Sequence, residues 1–93
     1  MIVSFGSKQT EQIWKGIRVK NLPMDIQNTG RRKLLMLNNS QDLIDLKVPP
    51  SNRLEKLTGN LSGFYSICIN KQWRIIFKWN KGNASEVEIT DYH

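Results

Sequence analysis

The hydrophobic pattern of this chain changes period at the proline pair in "KVPPSN", and that change restricts the possible folds more than any other feature. Before Pro49 and Pro50, apolar residues recur at helical spacing. Ile13, Trp14 and Ile17 in "SKQTEQIWKGIR" predict one buried helix face, with Ser7 or Thr10 as the N-cap. "MDIQNTGRRKLLMLNNS" predicts a second helix carrying Met24, Ile26, Leu34, Leu35 and Leu37, entered just after Pro23. Gly30 lies inside it at a cost of about 1 kcal/mol relative to alanine, so a kink or two shorter helices are alternatives. "QDLIDLKVPPSN" reads as a short helical turn and a proline-stiffened loop.

Beyond the prolines the period becomes two. "RLEKL" is a brief strand candidate ending at the turn "TGNLSG". "FYSICIN" and "QWRIIFKW" follow as strands, then the hairpin turn "NKGN" and a last strand "ASEVEIT"; "IVSF" at the start reads as one more short strand. Helices followed by a meander of strands predict an α+β fold, with the two helices packed on one face of an antiparallel sheet. Alternation then sorts the faces. Trp73, Ile75, Phe77 and Trp79 belong to the core, whereas Arg74, Ile76 and Lys78 fall on the exposed face of a central strand. In the last strand Val87 and Ile89 point inward and Glu86 and Glu88 outward; strict continuation sends Asp91 and His93 one way and Tyr92 the other.

The 93 residues suit a single domain, residues 1–93, which buries only roughly 60–65% of its unfolded surface. Three tryptophans, three phenylalanines and two tyrosines are available to anchor its core. Lys and Arg number 14 against 8 Asp and Glu, and the resulting charge of +6 favours anionic partners such as nucleic acid. The single cysteine, Cys68, cannot form an internal disulfide, which fits a reducing compartment such as the cytoplasm. No segment approaches the roughly 20 apolar residues of a membrane span, and "MIVSFGSKQ" turns polar too soon for a signal peptide. Neither membrane association nor a cofactor is expected. One His and one Cys with scattered acids offer no metal-ligand spacing.

Metal-independent RNA cleavage remains open to such a chain, because the substrate brings its own nucleophile, the ribose 2′-OH. The protein then needs a base for that hydroxyl, positive charge for the pentavalent phosphate and an acid for the departing 5′-oxygen. His93, Asp91 and Tyr92 are the candidates for proton transfer; the ordinary imidazole pKa of about 6.5 suits His93 to it. Arg74, Lys78, Lys56 and Arg53 are the candidate cations. Each has a plainer reading: a terminal histidine is commonly exposed and inert, and a structural ion pair with Glu55 or Asp91 accounts for Arg74. The run Arg31, Arg32, Lys33 is either the solvated face of a helix or a nucleic-acid contact.

Taken together, "VPPSNRLEKLTGNLSGFYSICINKQWRIIFKW", "VEITDYH", the opening "MIVSF" and "RRKLLMLNNS" resemble the HigB branch of the RelE/ParE toxin superfamily along essentially the whole chain. The resemblance implies a microbial-ribonuclease-like (RelE-like) fold and a ribosome-dependent endoribonuclease of a bacterial type II toxin–antitoxin pair. Such a toxin cuts mRNA in the ribosomal 30S A site by 2′-OH attack, leaving a 2′,3′-cyclic phosphate. Its implied partner is a HigA-like helix-turn-helix antitoxin, with operator DNA bound only through the complex, in the bacterial cytoplasm. By position, Asp91, Tyr92 and His93 match the family's catalytic segment, and Arg74 matches the arginine held near the scissile phosphate. The sequence departs from the branch in reading Leu57-Thr58-Gly59 where "LKG" is common. Lys56, two residues earlier and on the same strand face if the register is regular, is a candidate substitute cation, and Glu55 occupies the position at which some relatives carry a second histidine. Two other readings keep the fold: a ParE-like gyrase inhibitor, and a catalytically weak member acting in antitoxin binding and operon control.

Overall fold

A computed structural model describes residues 1–91, so the expectations for Tyr92 and His93 lie outside the described residues. Two helices, α1 (Lys8–Trp14) and α2 (Met24–Asn39), precede four strands: β1 (Glu55–Lys56), β2 (Phe64–Cys68), β3 (Trp73–Asn80) and β4 (Asn83–Asp91). The strands form one antiparallel sheet in the order β1-β2-β3-β4, with both helices on one face, as the change of period predicts. Short 3-10 turns occupy Leu43–Lys47, Pro50–Asn52 and Gly59–Leu61. "IVSF" does not become a full strand; Ile2 and Phe5 make isolated parallel bridges to Ala84 and Val87 along the outer edge of β4.

Of the two candidate caps, Ser7 starts α1, its Oγ accepting from the Thr10 amide at 3.2 Å. Thr10 has another task. Its buried Oγ1 accepts the Ile89 amide of β4 at 2.9 Å and so fastens the helix to the sheet. Thr10→Val keeps the shape and removes the acceptor, leaving a buried N–H unsatisfied. We expect a loss of about 1–3 kcal/mol in urea unfolding; an unchanged midpoint would show that this bond contributes nothing. The chain leaves α1 at Gly16, whose φ of 84° suits a residue without a side chain, so Ile17 lies beyond the helix and is exposed.

Despite Gly30, α2 runs unbroken. A Cβ at Gly30 would stand 3.2 Å from Ile89 Cδ1 and 3.3 Å from Ile69 Cδ1, so the glycine lets helix and sheet approach closely. Ile26, Leu34 and Leu37 face the sheet, while Met24 and Leu35 turn to solvent. Gln27 fixes the connection between the helices: Nε2 donates to the carbonyls of Val19 and Leu22, and Oε1 accepts the Val19 amide.

The core is built on Ile75 and Phe77 of β3, with Ile67, Val87 and Ile89 beside them and the half-buried Trp73 and Trp79 packed against it. Phe77 is fully buried, with the rings of Tyr65 and Trp79 at 6.1 and 6.3 Å. Simple alternation would give Ala84 and Val87 to opposite faces, yet both are fully buried in that core. A β-bulge explains this. Lys78 pairs with Ser85 but Ile76 with Glu88, so one extra residue is accommodated where Glu86 adopts φ 51°.

Candidate active site

The other face of β3 is not solvated as alternation predicts. Arg74 and Ile76 are only 7% and 9% exposed, and Leu57 and Leu61 line the same cleft beside them. Leu57, Leu61, Arg74, Ile76, Glu88, Thr90 and Asp91 line a cleft of about 400 Å³. Arg74 lies directly opposite Cys68, two residues from Ser66, and reaches diagonally across β2. Its Nη1 donates to Ser66 Oγ at 2.6 Å, and its Nη2 meets Glu55 Oε1 at 3.4 Å on the edge strand. The guanidinium is thereby desolvated and oriented. Glu55 offsets part of its charge while its own side chain stays 45% exposed at the rim.

Asp91 ends β4 opposite Trp73, which by register belongs to the helix side. At this strand end it nonetheless lines the cleft with Arg74 and Thr90, and Gln72 Nε2 donates to its Oδ2 at 3.2 Å. Arg74 and Asp91 therefore share one cleft, and Tyr92 and His93 follow directly in the chain.

The remaining candidate cations disperse. Lys56 pairs with Tyr65, and the alternation places it on the sheet face opposite Glu55 and Arg74. By this register Glu55, not Lys56, is the β1 residue that points toward Ser66. Lys78 shares Arg74's face but is paired with Glu86 at 2.9 Å and sits 5.2 Å from the centre of the Phe64 ring. Arg53 and Lys33 meet in a separate cleft with Lys71. Arg31 and Arg32 lie with Asn28 and Leu35 on the side of α2 turned away from the sheet, so they are not part of the Arg74 cleft. Among the described residues no group of three His, Cys, Asp or Glu side chains could hold a metal ion, and no helix is long and apolar enough to cross a membrane.

Comparison with known proteins agrees with this architecture. A family model described as RelE-like toxin of type II toxin–antitoxin system HigB matches residues 3–93. This chain belongs to that HigB-like toxin family. It is 44% identical over 85 residues to Toxin HigB-1 of Vibrio cholerae serotype O1, covering 90% of both chains. An uncharacterised protein of Haemophilus influenzae is 35% identical over 66 residues, 71% of this chain and 65% of that protein. Among solved structures, the YoeB–YefM complex from Staphylococcus aureus superposes with a TM-score of 0.63 at 19% identity, covering 100% of this chain and 98% of that one. The YoeB dimer from the same organism gives 0.57 at 20% identity. At those identities the likeness establishes the RelE-like fold.

Sequence reasoning about this HigB-like toxin overlooked Ser66, the residue that holds Arg74. A signal was present: Ser66 is the one hydroxyl inside the apolar run "FYSICI" apart from the Tyr65 phenol, two positions from the register partner of Arg74. Leu57 and Leu61 carried none, because their place in the cleft lining depends on the path of a turn.

Proposed function

We propose that this toxin is an endoribonuclease that cuts mRNA in the ribosomal A site through attack by the substrate's own 2′-OH. The observation that carries the reading is the burial of Arg74 on the floor of a cleft that Asp91 also lines, with its guanidinium aimed by Ser66 and Glu55. A cation held this way, in a partly dry site, stabilises a pentavalent phosphate without having to reorganise. His93 or Asp91 takes the 2′-OH proton and returns one to the departing 5′-oxygen, giving a 2′,3′-cyclic phosphate and a 5′-hydroxyl. Tyr92 orients or stacks on a base.

The toxin acts as one domain, residues 1–93, in the bacterial cytoplasm. It is neutralised by a HigA-like helix-turn-helix antitoxin, and operator DNA is engaged only through their complex. The S. aureus neighbour solved together with YefM supports an antitoxin partner. The test is cleavage of messenger on programmed ribosomes. Wild type is expected to cut within the A-site codon, and His93→Ala to cut about 10²–10⁴-fold more slowly. Intact messenger with wild-type toxin would remove the reading, and inhibition of gyrase supercoiling would favour the ParE-like alternative. One observation favours a catalytically weak toxin instead: the Glu55 carboxylate on Arg74 offsets charge in the site, and no other cation lines the cleft among the described residues.

A further inference from the structure

We infer that the cleft formed by Lys33, Arg53 and Lys71 is a second phosphate-binding subsite, taking a phosphate of the RNA strand next to the one held at Arg74. For the identity of its ligand the inference rests on the ribonuclease reading. Three cations arrive from three separate segments: α2, the loop after the Pro50–Asn52 turn, and the β2–β3 turn. Together with Ser51, Cys68, Ile69 and Asn70 they line a cleft of about 300 Å³ that contains no acidic residue. Among the described residues the ion pairs are Lys15–Glu11, Arg74–Glu55 and Lys78–Glu86, so none of these three cations has a carboxylate partner there. Gathering like charges around one hollow is unfavourable until an anion enters it.

The cleft is also prearranged. Lys33 Nζ donates to the side-chain oxygen of Asn52, which is fully buried and donates in turn to the Leu46 carbonyl at 3.1 Å. Arg53 is held at φ 47° with its amide on the Pro50 carbonyl at 3.0 Å. Asn70 Oδ1 accepts the amides of Gln72 and Trp73, both at 2.8 Å, and so shapes the turn that carries Lys71. Two observations favour a nucleic-acid strand over an acidic peptide. Cys68, on the wall of this cleft, is the direct register partner of Arg74, so the cleft borders the strand pair that carries Arg74. The guanidinium fork of Arg53 beside two point-charge ammonium groups suits phosphate oxygens.

The test is an NMR titration of the ¹⁵N-labelled full chain with a 2′-O-methylated RNA trinucleotide, which the 2′-OH mechanism cannot cleave. Amide shifts are expected to cluster at Ser51, Arg53 and Cys68 to Lys71. Arg53→Gln with Lys71→Gln should weaken binding about tenfold or more, and should lower the salt slope by about 0.7 for each phosphate no longer neutralised. Lys8→Gln with Lys81→Gln, exposed lysines that line neither cleft, should titrate as wild type. Equal titration by wild type and the cleft variant overturns the inference, as does tighter binding of a glutamate peptide at the same amides. Silence at these amides in a toxin that cleaves A-site messenger also overturns it. If the amides respond while wild type leaves messenger intact, the subsite stands and the catalytic reading fails.

Discussion

Arg74→Ala is expected to lower single-turnover cleavage of A-site messenger by about 10²–10³-fold, the usual consequence of deleting one prearranged donor from a phosphoryl or oxyanion site. The effect should fall on the chemical step rather than on ribosome binding, because the buried guanidinium offers little surface for docking. Arg74→Lys restores the charge without the fork whose two nitrogens reach Ser66 and Glu55 separately, so it should recover only part of the rate. Ser66→Ala keeps the charge and loses the 2.6 Å bond that aims it, and should lie between the two. Melting curves for each variant separate misfolding from lost chemistry. Wild-type cleavage by a folded Arg74→Ala toxin would place the phosphate elsewhere.

Phe77→Ala is expected to destabilise the fold by about 3–5 kcal/mol, against the roughly 5–15 kcal/mol that holds a domain of this kind together. The ring is fully buried at the centre of β3, between Tyr65 and Trp79, where the sheet and helices meet. Neighbouring strands cannot collapse into the space without breaking their pairing. At about 4–8 °C per kcal/mol the melting temperature should fall by at least about 12 °C. A fall of only a few degrees would mean that the core closes around the gap, which the bulge opposite Phe77 would then have to permit.

The helices, the order of the strands and the core residues of β3 were legible because each rests on a local pattern. Ile75 and Phe77 are buried as their alternation predicts, and Ile26, Leu34 and Leu37 follow the helical spacing. Ile17, Met24 and Leu35 satisfied the same spacing and are exposed, because α1 ends before Ile17 and the sheet meets only one stripe of α2. The bulge at Glu86 was not legible, since one inserted residue leaves an alternating sequence looking regular. The site was legible in part. Arg74 stands out as a cation in an apolar strand, and an ion pair with Glu55 is the plainer account of such a residue. The cleft around Arg74 takes Leu57 and Leu61 from a turn whose path no periodicity encodes. Glu55 and Lys56 take opposite faces because a single step along a strand reverses the face, and only the pairing of Glu55 with Ser66 fixes which step applies.

The two borders of the sheet carry a consequence for assembly. On one side, the Ile2 and Phe5 bridges and the Thr10 hydroxyl occupy main-chain groups of β4. On the other, β1 is only two residues long. Among the described residues, another chain therefore finds no long row of open amides and carbonyls on which to lay a strand of its own. Fibril-like stacking has no long template at either border of the described sheet.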